Sequence, residues 1–199
     1  MGTEDEDLVA LLAFNLDKYY EQLVSIYWQQ LRNFAFRQTG SMQDAEDIVQ
    51  EAVVRAYLAL ERYSPQRVQN MKIRPWLYKL TWNAYCNYMR RSKPPQSVPL
   101  DLSEEGLLLE KEDGWQEKPE VVFENAERRR ELEALVCTLP LRYREIVNMY
   151  YFEELSHQEI AEILHAPVTT IRVYLHRGIQ MLRKTIAVQG SEVSWNDAV

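Results

Sequence analysis

The 199-residue sequence predicts an all-α protein in which two small helical domains are joined by an acidic flexible linker. Apolar residues between Ala45 and Leu60 recur at the i, i+3, i+4, i+7 spacing of one helical face. Residues 92–99, SKPPQSVP, cannot continue a helix and mark a domain boundary. Residues 101–127 then carry ten acidic residues and two lysines with little apolar content, a composition typical of a linker without a core.

The N-terminal part is predicted to be helical throughout residues 5–93. Gly40 is expected to end one helix and Ser41 to cap the next, since glycine is common just after a helix and serine just before one. Pro75 suits the first turn of a later helix. The predicted elements in order are helices over 5–14 and 17–37, a helix after Ser41, a break at 63–65, a loop over 68–73, a helix to about residue 91, and, beyond the linker, helices over about 122–138 and from Pro140.

The last third of the chain contains two short helical patterns joined by a tight break at residues 165–168. The first begins at Ser156, and Glu159 follows at the spacing of a capping box. Thr169 or Thr170 is expected to cap the second, whose charged residues are all basic. This pattern predicts a helix-turn-helix that inserts into the DNA major groove. An ordinary helical hairpin with a solvated basic face is the alternative.

The distribution of charge agrees with a nucleic-acid binder even though the net charge is −7. Residues 101–127 carry a charge of −8, and residues 62–93 contain eight basic residues and no acidic one. Such segregation indicates a basic surface and is more informative than the total.

Several other classes of protein are not expected. No apolar run reaches the roughly 18 residues of a membrane helix, and the acidic N-terminus is unlike a signal peptide. We therefore expect a cytoplasmic protein without membrane insertion. Cys86 and Cys137 lack metal-ligand spacing and are expected to be buried, reduced thiols. The three histidines lie within one motif with no nucleophile at usable spacing, so neither catalysis nor a metal or cofactor is expected.

Residues 63–91 interleave basic and aromatic side chains and predict a second nucleic-acid surface. Cations neutralise phosphates, and aromatic rings stack on unpaired bases for roughly 1–3 kcal/mol per base. The combination favours single-stranded or melted DNA over closed duplex. The side chains of Arg74, Lys79, Arg90 and Arg91 are interpreted as phosphate contacts, whereas a place in the core is the favoured interpretation for Trp76.

Acidic residues crowd the first two turns of the helix that follows Ser41. Some of them stabilise the helix N-terminus, but Asp44, Asp47 and Glu51 share one face, where like charges repel. A partner that supplies arginine or lysine would relieve this repulsion. A solvated acidic face is the alternative.

These motifs, in this order, resemble the bacterial RNA polymerase sigma factors of the extracytoplasmic-function (ECF) group. The resemblance rests on DAEDIVQE, on RPWLYKLTWNAYCNYMRR, on the proline-rich acidic linker, and on the C-terminal stretch from LPLRYREIV to HRGIQMLR. It implies a sigma region 2-like domain over 1–93 that binds core polymerase and the −10 element, a linker over 94–127, a region 4-like domain over 128–186 that binds the −35 element and the polymerase flap, and a tail over 187–199.

The resemblance also implies roles for single residues. The residues expected to dock on the clamp helices of the largest polymerase subunit are Asp44, Glu46, Asp47, Gln50 and Glu51. Together with the basic and aromatic residues above, the expected −10 contacts are Tyr63, Arg67, Lys72, Arg74, Trp76, Lys79, Asn83, Arg90 and Arg91. The expected −35 contacts are Thr169, Thr170, Arg172, Tyr174, His176 and Arg177. Members of the group are often held by an anti-sigma protein, which is a candidate further partner.

The sequence departs from the family pattern near the helix-turn-helix. His165 stands where glycine is usual, and Tyr174 stands where a basic residue commonly reads the −35 element. The fold tolerates these changes, but they leave the promoter preference open. A stand-alone helix-turn-helix regulator that binds duplex DNA as a dimer is the rival hypothesis, and such a regulator has no reason to carry the aromatic-basic helix near Trp76.

Overall fold

The computed structural model describes residues 2–92 and 126–189. The chain divides into two compact units, Met1–Val98 and Pro99–Val199. The described residues form helices and contain no strand, which confirms the all-α prediction. Nearly all of the predicted linker, and the tail beyond residue 189, lie outside the described residues.

The N-terminal unit is built around a long helical hairpin. Its helices are α1 (Gly2–Phe14), α2 (Leu16–Thr39), α3 (Met42–Arg62), α4 (Pro65–Gln69) and α5 (Ile73–Ser92). Helices α2 and α3 pack side by side, α5 packs on α3, and α1 contacts α2 and α4. The rings of Phe34 and Tyr78, both fully buried, meet edge to face at 5.3 Å in the core between α2 and α5.

The turn between α2 and α3 forms as the sequence predicts. Gly40 adopts a left-handed conformation with φ 73°, and its N–H donates to the Phe36 carbonyl at 2.8 Å. The Ser41 hydroxyl accepts the Asp44 N–H at 3.3 Å and caps α3. A residue other than glycine would be strained at this φ. Because glycine allows so short a turn, α3 returns directly alongside α2.

The segment after Tyr63 differs from the prediction because α4 lies where only a break and a loop are expected. The Ser64 hydroxyl accepts the Arg67 N–H at 3.3 Å, and Pro65 occupies the first helical position. Serine followed by proline is a favourable start for a helix, since proline lacks the N–H that a first turn leaves unbonded. Val68 is buried and anchors this short helix to the unit.

The C-terminal unit contains α6 (Ala126–Cys137), α7 (Leu141–Val147), a π-helical turn (Asn148–Phe152), α8 (His157–Leu164) and α9 (Val168–Gln189). Helix α7 packs mainly against α9. Gly178 of α9 makes this close approach possible, because a Cβ built there would lie 2.9 Å from Val147 Cγ2.

Helices α8 and α9 form the predicted helix-turn-helix. Ser156 and Glu159 make the reciprocal capping box at the start of α8. His165 takes the left-handed conformation with φ 53° at its end. The prediction that Thr169 or Thr170 caps α9 is wrong, because α9 already begins at Val168 and both threonines lie in its first turn.

Candidate nucleic-acid interfaces

Helix α9 presents a basic, acid-free face away from the core of its unit. Thr169, Arg172 and His176 are exposed and follow one another at helical spacing, and Arg177 beside them is half-buried. Gln180 continues the row, with its Nε2 atom 3.2 Å from His176 Nε2. Arg183 and Lys184 extend the positive charge toward the end of the helix. This face has the length and charge to lie along a DNA groove.

Two of the predicted −35 contacts lie on the opposite, buried side of α9. Thr170 is 3% exposed and Tyr174 is 8% exposed. The Tyr174 ring meets the Tyr143 ring edge to face at 5.6 Å. Neither side chain is available to a base edge in this conformation, so both are removed from the candidate surface. Their spacing from the buried Ile171 and Leu175 is the sequence signal that could have placed them in the core.

Three residues of the predicted −10 surface come together at the junction of α4 and α5. The Arg67 guanidinium carbon lies 3.7 Å from the centroid of the Tyr63 ring. The Tyr63 and Trp76 rings are 6.3 Å apart and tilted by 56°. A cation over one ring and a second ring beside it form a partly exposed cation–π and aromatic cluster. The Trp76 side chain is half-buried, so part of it lies in the core and part of it is accessible to nucleic acid.

Helix α5 carries a continuous stripe of polar and basic side chains. Lys72 precedes the helix, and Trp76, Lys79 and Asn83 follow at steps of three or four residues. Arg90 lies two turns beyond Asn83 and donates a hydrogen bond to the Asn87 side chain. The stripe therefore combines exposed cations at both ends with half-buried aromatic and amide groups between them.

Arg74 does not belong to this stripe. It is half-buried, its guanidinium carbon lies 5.7 Å from the Tyr78 ring centroid, and its Nε atom is buried without a hydrogen-bond partner among the described residues. Burial and the Asp5 carboxylate raise the pKa of the Tyr27 hydroxyl, and the nearby charge of Arg74 opposes that shift. The side chain therefore lies toward the interior, where it is poorly placed for the predicted phosphate contact.

The acidic cluster at the start of α3 is partly neutralised within the unit itself. Arg32 on α2 pairs with Glu46 at 3.2 Å. Glu51 pairs with Arg55 and lies 3.9 Å from Arg91 of α5. The sequence pattern did not reveal these partners because two of them come from other helices. Arg91 thereby lies beside the acidic face as well as near the basic end of α5.

Asp47 and Gln50 remain exposed on the outer face of α3, and two exposed apolar residues continue that face. Val54 is 55% exposed and Leu58 is 45% exposed, one and two turns beyond Gln50. Sequence reasoning missed both, although apolar residues on the polar face of an amphipathic helix are a recognisable signal. The face of α3 thus changes from acidic to apolar along its length.

The described ranges 2–92 and 126–189 contain neither a candidate metal site nor a candidate membrane-spanning helix. They contain no group of histidine, cysteine and acidic residues that could hold a metal ion. Cys86 is half-buried and Cys137 is exposed, so the expectation that both thiols are buried is wrong for Cys137. None of the helices in these ranges has the length and apolarity needed to cross a membrane.

The fold and its two basic surfaces define an all-helical protein of two units, one of which ends in a helix-turn-helix. Comparison with protein families matches both units. Residues 23–94 match Sigma-70 region 2, and residues 129–182 match Sigma-70, region 4. The chain is 32% identical over 171 residues to the ECF RNA polymerase sigma factor SigW of Bacillus subtilis, covering 84% of this chain and 88% of that protein. SigM of the same organism is 26% identical over 163 residues, covering 82% and 92%.

The chain therefore belongs to the ECF RNA polymerase sigma factors, which direct core polymerase to specific promoters. The rival interpretation as a stand-alone regulator is not favoured, because the family matches include the aromatic-basic unit as well as the helix-turn-helix.

Two solved structures are similar to this chain in fold. CnrH, in complex with the cytosolic domain of CnrY, has a TM-score of 0.61 and 19% identity, covering 92% of this chain and 97% of that one. The sigma factor RpoE of Bartonella quintana, in complex with the anti-sigma factor NepR, has a TM-score of 0.61 and 16% identity, covering 86% and 98%.

Proposed function

We propose that this sigma factor holds core polymerase and promoter DNA through surfaces on both of its units. Residues 1–93 bind the polymerase and the −10 element, residues 128–186 read the −35 element and contact the flap, and residues 94–127 connect them. The observation that carries the proposal is that one chain bears an acid-free recognition helix on one unit and the Tyr63–Arg67–Trp76 cluster on the other. Recognition of duplex DNA requires the basic recognition helix, and binding of an unpaired strand requires the aromatic and basic cluster.

The −35 element is read by the exposed face of α9. Arg172 and Arg177 have the fork geometry that suits guanine edges or phosphates. Thr169 at the start of the helix and His176 one turn beyond Arg172 lie on or beside the same face and complete the contact surface. Thr170 and Tyr174 support that surface from the core side, because the buried Tyr174 ring packs on Tyr143.

The −10 element is bound along α4 and α5. Lys72, Lys79 and Arg90 neutralise phosphates, and Tyr63 and Trp76 offer aromatic faces to an unpaired base. Asn83 lies between these groups and supplies a hydrogen-bonding amide. Arg67 and Arg91 contribute positive charge at the edges of this surface, whereas Arg74 acts from the interior.

Core polymerase docks on the outer face of α3. The acidic end, formed by Asp44, Glu46, Asp47, Gln50 and Glu51, suits arginine and lysine side chains of the clamp helices. Val54 and Leu58 extend this face with apolar area that a packed partner helix would cover. A mixed acidic and apolar surface of this kind gives both steering and burial.

The chain acts as a non-catalytic initiation factor in the cytoplasm, where bacterial RNA polymerase works. An anti-sigma protein is a further proposed partner, supported by the complex of the similarly folded RpoE with the anti-sigma factor NepR.

A reconstitution experiment tests the proposal. The purified chain is mixed with core polymerase, and the holoenzyme selects binding sites from a randomised duplex library before run-off transcription. The expected result is a holoenzyme that enriches a bipartite element and starts transcripts from it. A chain that fails to bind core polymerase, or that enriches a palindrome without polymerase, would overturn the proposal in favour of the rival regulator.

A further inference from the structure

Helix α4, which carries Arg67, depends on another helix for its position. At five residues, α4 is far too short to be stable alone, because helix nucleation is costly. Among the described helices it packs chiefly against α1. Helix α1 buries Leu8, Val9 and Leu12, and α4 buries Val68. The location of α4 therefore follows the location of α1.

A hydrogen bond fixes α1 to the rest of the unit. The Tyr27 hydroxyl on α2 donates to Asp5 Oδ1 on α1 at 2.5 Å. Arg74 at the start of α5 lies close enough for its charge to act on the same hydroxyl. One part-buried polar contact thus joins α1 to α2 beside the first turn of α5.

The position of α4 in turn sets the aromatic cluster. Arg67 lies in α4, and its guanidinium covers the Tyr63 ring at 3.7 Å, while Trp76 lies on α5. A small displacement of α4 would move the cation relative to both rings. Since α4 rests on α1, the packing of α1 controls this geometry.

We propose that α1 is a positioning element of the −10 surface, although it precedes residues 23–94, which match region 2. The inference rests on the proposed function. By holding α4, α1 keeps Arg67, Tyr63 and Trp76 in the arrangement that receives an unpaired base. Helix α1 itself touches no DNA in this proposal.

The experiment uses holoenzyme reconstituted from the full chain. Tyr27→Phe removes the hydroxyl that holds Asp5, and Leu12→Ala removes buried contact from α1. Phe14→Ala is the control on the same helix, because Phe14 is 84% exposed. Tyr57→Phe is the control for loss of a tyrosine hydroxyl, because the Tyr57 hydroxyl donates to Asp17 at 2.6 Å and α1 takes no part in that bond. Leu12→Met tests rescue by a side chain of similar volume.

The probe is a fork-junction DNA carrying the element that wild-type holoenzyme selects, with 2-aminopurine at the unpaired −10 position. We expect Tyr27→Phe and Leu12→Ala to weaken fork binding by about tenfold and to reduce the base-unstacking signal. Core affinity, measured separately, and binding to a duplex with only the −35 element should stay unchanged. The controls and Leu12→Met should behave as wild type.

Two outcomes would overturn the inference. One is wild-type fork binding by both test variants while hydrogen exchange shows that the amides of α1 have become less protected. The other is an equal loss of core, −35 and fork binding, which would indicate general destabilisation. Failure of the proposed function is distinguishable, because wild-type holoenzyme would then select no promoter element.

Discussion

Replacement of Glu145 by glutamine should make the stability of the C-terminal unit much less dependent on pH. Glu145 lies on α7 and is 3% exposed, and its Oε2 atom has no hydrogen-bond partner among the described residues. Burial raises the pKa of this carboxyl to about 8, and the charge of Arg144 opposes the shift only in part. Asn148, three residues on, is also buried with both side-chain polar atoms unpaired within the described ranges.

The sign follows from the difference between the folded and unfolded states. The unfolded carboxyl ionises near its ordinary pKa of 4.5, whereas the folded one stays protonated up to about pH 8. The contribution of Glu145 to the free energy of unfolding is therefore fully present below about pH 4.5. It decreases as the pH rises toward 8, because over this interval only the unfolded state loses the proton. At about 1.4 kcal/mol per pH unit, the contribution of this group over the interval is at most about 5 kcal/mol.

Urea unfolding followed by circular dichroism at pH 5, 6, 7 and 8 measures this effect. Wild type should lose stability steadily over the series, and Glu145→Gln should lose much less, so that the variant is the more stable protein at pH 8. Glu162→Gln on the exposed face of α8 is the matched control and should follow wild type. Parallel pH profiles for wild type and Glu145→Gln would refute the reasoning.

Three further predictions concern the interfaces and the turn of the helix-turn-helix. Arg172→Ala should weaken binding of the −35 duplex by about 1–3 kcal/mol if the guanidinium contacts a base. Fluorescence anisotropy of the holoenzyme measures this affinity, and an unchanged value would place Arg172 outside the contact surface. Asp47→Lys should abolish core binding in a native gel while thermal unfolding stays like wild type, because Asp47 is exposed on the acidic face; normal holoenzyme formation would reject the docking assignment. His165→Gly should raise stability by about 1 kcal/mol by relieving the left-handed backbone at φ 53°, and a lower melting temperature would show that the imidazole makes a stabilising contact.

Local signals explain why most helices could be predicted. The capping box at Ser156, the glycine at residue 40 and the apolar spacing of α3 act between residues within a few positions of one another. Their chemistry is therefore visible in the sequence. The exception, α4, was missed because a serine followed by proline reads equally well as a break and as a helix start.

Candidate site residues were harder to predict, because their orientation depends on distant partners. Residue type and resemblance predict DNA contacts for Arg74 and Tyr174, yet the first lies beside Tyr27 and Tyr78 and the second beside Tyr143. The local sequence of α3 predicts an acidic face without basic partners, although Arg32 and Arg91 approach it from other helices. Charge and aromaticity mark a surface, but which side chains face it depends on how helices pack.

Periodicity, capping and motif order are local properties, and they were enough to predict the all-helical class, the two-domain order, the helix-turn-helix and the family. The folded structure was needed to show that Thr170 and Tyr174 are buried, that Arg67 covers Tyr63, and that α1 packs against α4. These features depend on how the helices pack, which brings Tyr174 against Tyr143 and α4 against α1. Spacing along α9 can suggest which side chains are buried, but the packed core decides it, because burial needs atoms from another helix.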